Sequence, residues 1–263
     1  MPASALMNVM MGAARKAGRS LTRDFGEVEQ LQVSVKSPAN FVSAADHKAE
    51  EILYQELGRA RQDYGFVMEE RGVVEGADKT HRWIVDPLDG TTNFLHGLGL
   101  FAISIGLERE GQLIAGVIYN PIADEMFTAE KGKGAFLNDR RRLRVAQRRT
   151  LADCIVSTGI PHRGKPNHQL FHREAGAVMR ETAGLRRTGS AATDLAWVAA
   201  GRIDGYWEHG LGPWDMAAGI VIVREAGGLV CDVEGGGDML DKGSIIAGNQ
   251  AVMKALTEVV GKA

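Results

Sequence analysis

The chain has 263 residues, enough for one large domain or two tightly joined ones. Hydrophobic residues make up 44% and charged residues 24%, as in ordinary folded proteins, and a net charge of −2 gives the whole molecule no polyelectrolyte signature for nucleic acid or anionic membrane. Cys154 and Cys231 sit in apolar runs and read as buried, reduced thiols. Residues 1–11 lack a basic start and a cleavage site, and no apolar run nears the roughly 20 residues of a membrane span, so a cytoplasmic home is the default expectation.

In chain order, residues 4–25 carry an amphipathic helical pattern, with Leu6, Val9, Met10, Ala13, Ala17 and Leu21 on one face. Residues 32–36 alternate as a short strand or arm, and Ser37-Pro38-Ala39-Asn40 breaks it. Ser43 is placed to cap a helix over 44–60, with Ile52, Leu53 and Leu57 inward and Asp46 in its first turn, where the helix dipole favours a carboxylate. A strand over 65–68 ends at Glu69-Glu70, and 72–80 reads as a polar loop. A strand over 82–85 runs into Asp86-Pro87-Leu88-Asp89-Gly90-Thr91-Thr92-Asn93. Strands over 101–107, 113–119 and 125–129, with turns at Gly111 and Asn120-Pro121, predict an antiparallel meander that continues over 135–145.

Beyond a soft boundary at 147–150 the pattern changes to alternating strands and helices. Strands are predicted at 154–158, 185–188, 203–207, 229–233 and 244–247, and helices at 167–182, 190–200, 213–226 and 250–260. The expected division is an N-terminal α+β half, 1–148, that carries the main motif, and a C-terminal α/β half, 149–263, that completes the site.

Residues 86–93 organise the chemistry. A buried strand that ends in two carboxylates and turns into a helix start offers oxygens to a divalent cation and unpaired N–H groups to phosphate. The competing reading is a tight turn with an Asp cap. Asp46, Glu69-Glu70, Asp86, Asp89 and Asp215 all stand beside apolar residues, and a buried carboxylate needs a partner. A metal serves several at once, although for Asp215 helix capping competes. Gly-x-Ser-x-Gly, a Walker A loop and a dinucleotide glycine fingerprint are absent, no histidine spacing suggests zinc, and His96 reads as a loop residue. Arg140, Arg141, Arg142, Arg144, Arg148 and Arg149 form a basic patch that reads as a solvated sheet edge.

Trp83-Ile84-Val85-Asp86-Pro87-Leu88-Asp89-Gly90-Thr91-Thr92-Asn93-Phe94 and Trp214-Asp215-Met216-Ala217-Ala218-Gly219, the latter followed by Glu225-Ala226-Gly227-Gly228, resemble the two signatures of the inositol monophosphatase family of lithium-sensitive, Mg²⁺-dependent phosphatases. Glu69-Glu70 and the turn Lys131-Gly132-Lys133-Gly134-Ala135-Phe136 fit as well, and the resemblance spans residues 5–260. It implies a layered α/β/α/β/α sandwich of mixed α+β and α/β character, with a large antiparallel N-terminal sheet, a smaller mixed C-terminal sheet and a homodimeric state. Glu69, Asp86 and the Leu88 carbonyl would hold one Mg²⁺, and Asp86, Asp89 and Asp215 a second, with a third, weaker ion near Glu69. Gly90 and Thr91 would bind phosphate through their N–H groups. Thr91, oriented by Asp46, would position the attacking water together with Glu69. Asp89, Asp215, Glu208 and the Ala191 backbone would contact substrate, and Lys36 would lie near the metals on an arm. Met68 and Gly159-Ile160-Pro161-His162 depart from the family pattern and bear on substrate choice rather than on the reaction.

The resulting expectation is a Mg²⁺-dependent phosphomonoesterase for small polyol phosphates, with myo-inositol 1-phosphate as leading substrate. Histidinol phosphate, fructose 1,6-bisphosphate and adenosine 3′,5′-bisphosphate are the alternatives for the same chemistry. An RNA- or transcription-associated binding protein acting through the basic patch is the alternative of another class.

Overall fold

A computed structural model describes residues 3–27, 33–37, 40–162, 164 and 166–263, with the backbone alone for 33–37 and 40–43. The predicted Lys36 side chain, Pro38-Ala39 and the Ser43 cap therefore lie outside the described residues. The elements run α1 (Ala5–Phe25), β1 (Val33–Ser37), β2 (Asn40–Ser43), α2 (Ala44–Ala60), β3 (Tyr64–Met68), β4 (Gly72–Val74), β5 (Asp78–Asp89), α3 (Thr91–Leu95), β6 (Ala102–Arg109), β7 (Gln112–Asn120), β8 (Glu125–Glu130), β9 (Gly134–Leu137) and β10 (Arg141–Arg142). After a 3-10 turn at Leu151–Asp153 come β11 (Ile155–Thr158), α4 (His168–Glu181), β12 (Gly184–Arg186), α5 (Ala191–Ala199), β13 (Gly205–His209), α6 (Pro213–Glu225), β14 (Leu229–Cys231), α7 (Met239–Lys242), β15 (Ser244–Gly248) and α8 (Gln250–Val260).

Five layers result, as expected. Helices α1 and α2 pack on one face of an eight-stranded sheet ordered β10-β9-β8-β7-β6-β5-β3-β4. Helices α5 and α6 lie between it and a five-stranded sheet ordered β12-β11-β13-β15-β14, and α8 covers that sheet's far side with α4 beside it. Each interface holds its own apolar cluster: Leu21, Leu53 and Trp83 in the first, Leu195, Met216 and Ile222 in the second, Val156, Trp207 and Leu256 in the third. Among the described residues no helix is long and apolar enough to cross a membrane.

The large sheet is not wholly antiparallel. β3 runs parallel to β5, with Met68 opposite Val85. Parallel strands run to the same side, so Glu69 and Asp86 both follow the last β3–β5 pair, Met68 and Val85. The predicted loop at 72–80 also contains β4 and the start of β5. β4 is an edge strand with Val73 exposed, so it shows no buried alternation to read. In α1 the predicted Met10, Ala13, Ala17 and Leu21 are buried as expected, while Leu6 and Val9 flank that face. Ile52 is likewise only half-buried in α2. β13 starts two residues later than predicted and so includes Glu208, and the short α7 was not anticipated. Arg141 and Arg142 form the exposed edge β10, whereas Arg148 pairs with buried Asp204 at 2.7 Å.

Close approach of α6 to the large sheet depends on missing side chains. A Cβ on Gly116 would lie 2.5 Å from the Ala218 carbonyl oxygen, and one on Gly106 would lie 2.8 Å from the Ala218 neighbour Ala217. Ser104 fixes the helix start by donating to the Trp214 carbonyl at 2.9 Å. Gly116→Ala should therefore push α6 outward and destabilise the fold by about 1–3 kcal/mol, the usual cost of overpacking. Urea unfolding checks this, and an unchanged midpoint would show that the helix does not rest on that glycine.

Candidate active site

Side chains three apart on a regular strand point to opposite faces. Asp86 and Asp89 escape that rule because β5 bulges between them: Asp86 pairs with Ser104 but Asp89 pairs with Ala102, three steps against two. Pro87 sits in the bulge, where its missing N–H costs no ladder bond. The Asp86 carboxylate accepts from the Leu88 N–H at 2.8 Å and tightens the turn. Gly90 then takes φ +96°, and a Cβ there would meet the Leu100 carbonyl oxygen at 3.0 Å, so the chain can enter α3 at this point only with glycine. Phe94 of α3 packs against Phe25 and Phe101, with ring centroids 5.5 and 5.1 Å away, which seats the helix on the core.

Two carboxylate clusters converge here. One oxygen each from Asp86, Asp89 and Asp215 lies within 4.8 Å of the other two, and Asp46, Glu69 and Glu70 satisfy the same condition among themselves. Burial pushes Asp86 well above the usual carboxylate range, and the charges of Glu69, Asp89, Asp215 and Asp46 push it further. Burial raises Asp89 to about 6, against hydrogen bonds that favour its charged form. Asp215 rises to about 7 through burial and then the charge of Asp89. The donors of both clusters are carboxylate oxygens, which suit a hard divalent cation such as Mg²⁺.

Distant elements deliver these groups. Asp215 stands in the first turn of α6 and accepts from the Gly212 N–H at 2.7 Å, so capping and membership of the acidic cluster coexist. Asp89 accepts from Ser190 Oγ at 2.6 Å and from the Ala192 N–H at 2.7 Å, which makes it an anionic cap for α5. The Ala191 N–H also favours the charged form of Asp89, so this expected substrate contact has its amide aimed at a carboxylate. Thr91 Oγ1 donates to the Leu88 carbonyl at 3.0 Å, the same oxygen expected on a metal.

A cavity of about 260 Å³ opens beside the clusters. Asp89, Gly90, Thr91, Ala191, Glu208 and Asp215 line it, whereas Asp46, Glu69 and Asp86 do not. Glu208 accepts from Tyr206 Oη at 2.6 Å and is raised to about 8 by burial. It lies directly over Gly159, where any side chain would collide with its carboxylate. Ile160 and His162, two of the residues that depart from the family pattern, line the rim, while Met68 is fully buried in the core. His96 ends α3, consistent with a loop role.

Sequence reasoning missed Asp194. It is buried on the cavity wall, accepts from Thr188 Oγ1 at 2.8 Å, and is raised to about 7 by burial. Through Thr188 it braces the turn that presents Ser190 to Asp89. It reads in sequence as an ordinary first-turn Asp of a helix. Ser190 begins the helix expected over 190–200, and nothing local in the sequence shows its reach to Asp89, about a hundred residues away in the chain.

Comparison with known proteins follows the same geometry. The family model described as "Inositol monophosphatase family" matches residues 3–262. The chain is 62% identical over 262 residues to a Mesorhizobium japonicum protein named "Inositol-1-monophosphatase", covering 100% of this chain and 98% of the relative. It is 42% identical over 251 residues to the Escherichia coli (strain K12) protein named "Nus factor SuhB", covering 95% of this chain and 94% of that one. The crystal structure of extragenic suppressor protein suhB from Bartonella henselae superposes with a TM-score of 0.96 at 59% identity, covering 99% of this chain and 100% of the other.

The raised carboxylates predict an inverted pH response. Their unfolded values lie near 4, so between pH 5 and 8 the unfolded chain is ionised while the metal-free folded chain still holds protons at Asp89 (about 6) and Asp215 (about 7). Stability from these groups is present at the acid end and lost as pH rises. The Tm of chelator-treated protein should therefore fall from pH 6 to pH 8, by about 2–4 °C per kcal/mol, and excess Mg²⁺ should remove the fall. A metal-free Tm that rises over this interval would overturn the reading.

Proposed function

The chain belongs to the inositol monophosphatase family, a metal-dependent family, and is a phosphatase; we propose that it is a Mg²⁺-dependent phosphomonoesterase for small polyol phosphates, with myo-inositol 1-phosphate as leading substrate. The observation that carries this reading is the convergence of two acidic clusters at the turn into α3, beside a cavity of about 260 Å³. The relative named for inositol 1-monophosphate chemistry supports the substrate.

In this reading Glu69, Asp86 and the Leu88 carbonyl hold one cation, and Asp86, Asp89 and Asp215 hold another. Bound cations neutralise a phosphate dianion, activate water and stabilise the leaving alkoxide. The protein does the positioning. Gly90 and Thr91 turn backbone N–H groups towards the phosphate at the start of α3. Glu69 and Thr91 orient the attacking water, with Asp46 beside Glu69. Glu208, held by Tyr206, accepts from substrate hydroxyls at the opposite wall, and Asp89, Asp215 and the Ala191 backbone complete the contact surface.

We extend the proposal to a homodimer. Leu98, Leu100 and Ile122 are exposed, and Asn120 ties their two loops together by donating to the Gly99 carbonyl at 3.0 Å. These apolar side chains suit burial against a second copy. Light scattering should return twice the monomer mass, and a monomer at micromolar concentration would contradict it.

The activity test is phosphate release, with and without Mg²⁺, from myo-inositol 1-phosphate, histidinol phosphate, fructose 1,6-bisphosphate and adenosine 3′,5′-bisphosphate. The inositol ester should be turned over fastest, and another ester in first place would reassign the substrate. Asp89→Asn keeps an oxygen for Ser190 and Ala192, so the fold should survive. Its kcat should fall at least about 100-fold, or ~2.7 kcal/mol of barrier, and wild-type kcat would sink the assignment of Asp89 to a cation.

A further inference from the structure

Glu50 lies one turn beyond Asp46 on α2, and both are buried. Residues four apart share a helix face, so α2 turns two carboxylates towards the end of β3. Their surroundings differ. Asp46 joins Glu69 and Glu70 in an acidic cluster. Glu50 faces backbone instead: its Oε2 accepts from the Glu70 N–H at 2.9 Å and from the Arg71 N–H at 3.2 Å. Both N–H groups belong to the turn between β3 and β4, directly after Glu69.

The same turn is held a second way. The Arg71 guanidinium lies 3.8 Å from Glu50 Oε1, pairs with Glu51, and sits 4.3 Å from the ring centre of Tyr54. Three residues of α2 thus grip Arg71 while Glu50 grips the peptide N–H groups. The opposing force is clear. Asp46, Glu69 and Glu70 crowd like charges together, and a turn free to relax would move the two glutamates away from the helix. One oxygen that accepts from two successive backbone N–H groups holds the turn against that motion, and its removal would leave both groups unpaired in a partly buried place.

We propose that Glu50 is a positioning residue for cation binding: by docking the 69–71 turn onto α2 it fixes Glu69 and Glu70 at ligand spacing from Asp46. The inference rests on the reading that these carboxylates hold divalent cations. Glu50 acts as a hydrogen-bond acceptor, not as a ligand, and its charge is secondary to its reach.

Equilibrium Mn²⁺ binding, followed by the EPR signal of the free ion on the full chain, tests this without recourse to turnover. Glu50→Ala should weaken Mn²⁺ binding about 10–100-fold, the usual effect of removing a group that orients metal ligands. Glu50→Gln retains an acceptor oxygen for the two N–H groups and should bind within a few-fold of wild type. Glu50→Asp keeps the charge but is one methylene too short to reach both, so it should weaken binding like the alanine variant; it also decides the matter if Glu50→Ala does not fold. Urea midpoints of the metal-free proteins separate positioning from bulk stability, because a merely structural role would move the midpoint and leave Mn²⁺ affinity alone. Wild-type Mn²⁺ affinity in folded Glu50→Ala or Glu50→Asp would overturn the proposal, as would a Glu50→Gln defect equal to that of alanine. Absence of Mn²⁺ binding by the wild type would instead overturn the metal-site reading on which the proposal stands.

Discussion

The structure is governed by the repulsion among carboxylates gathered at the C-terminal ends of β3 and β5. Asp86 is buried and feels four other acidic groups. In a low-dielectric setting such a group is costly unless protonated or matched by positive charge. Much of the surrounding architecture answers that cost. The starts of α5 and α6 place N–H groups on Asp89 and Asp215, and the bulge in β5 places one on Asp86. These contacts favour the charged forms without fully neutralising them, since Asp86, Asp89 and Asp215 remain raised. What they leave is a demand for protons or cations, built into the resting fold.

The parallel pairing of β3 with β5 is the simplest device that creates this demand. An antiparallel neighbour would have carried Glu69 to the far end of the sheet. Parallel pairing needs a connection that carries the chain back to the starting end of the sheet, and the antiparallel edge strand β4 with the following turn supplies it. The bulge then places Asp86 and Asp89 on one side, and α6, lying close because Gly106 and Gly116 lack side chains, brings Asp215 over the sheet. Each step is local. Together they assemble acidic residues from opposite ends of the chain.

Legibility in the sequence followed the range of the interaction. The last helix matches the expected 250–260 to the residue because its apolar period is a local signal. The meander of β6, β7 and β8 was read from its turns. Strand direction was not, because the 65–68 and 82–85 runs look the same whichever way they pair. The edge strand β4 has no buried face to leave a pattern. In the site, the motif residues were visible as types and spacings, and the family resemblance supplied roles that spacing alone left open. Glu50, Asp194 and Ser190 escaped functional notice because helices commonly carry such residues at such positions. Their importance lies in hydrogen bonds to segments 20, 6 and about a hundred residues away.

In the proposed reading, reaction and selectivity are held by different parts of the fold. The acidic clusters and the α3 turn rest on β3, β5, α2 and the start of α6, stiffened by the Phe25, Phe94 and Phe101 rings. The opposite wall comes from β11, β13 and the turn before α5, where Gly159 gives Glu208 its space and Asp194 supports Ser190. Asp89 belongs to both, a cluster member on one side and the cap of α5 on the other. A change at Ile160 or His162 can reshape the cavity without touching the acids, but a change at Asp89 reaches both walls at once. In the proposed reading, that coupling makes residue 89 the point at which substrate fit and cation binding constrain each other.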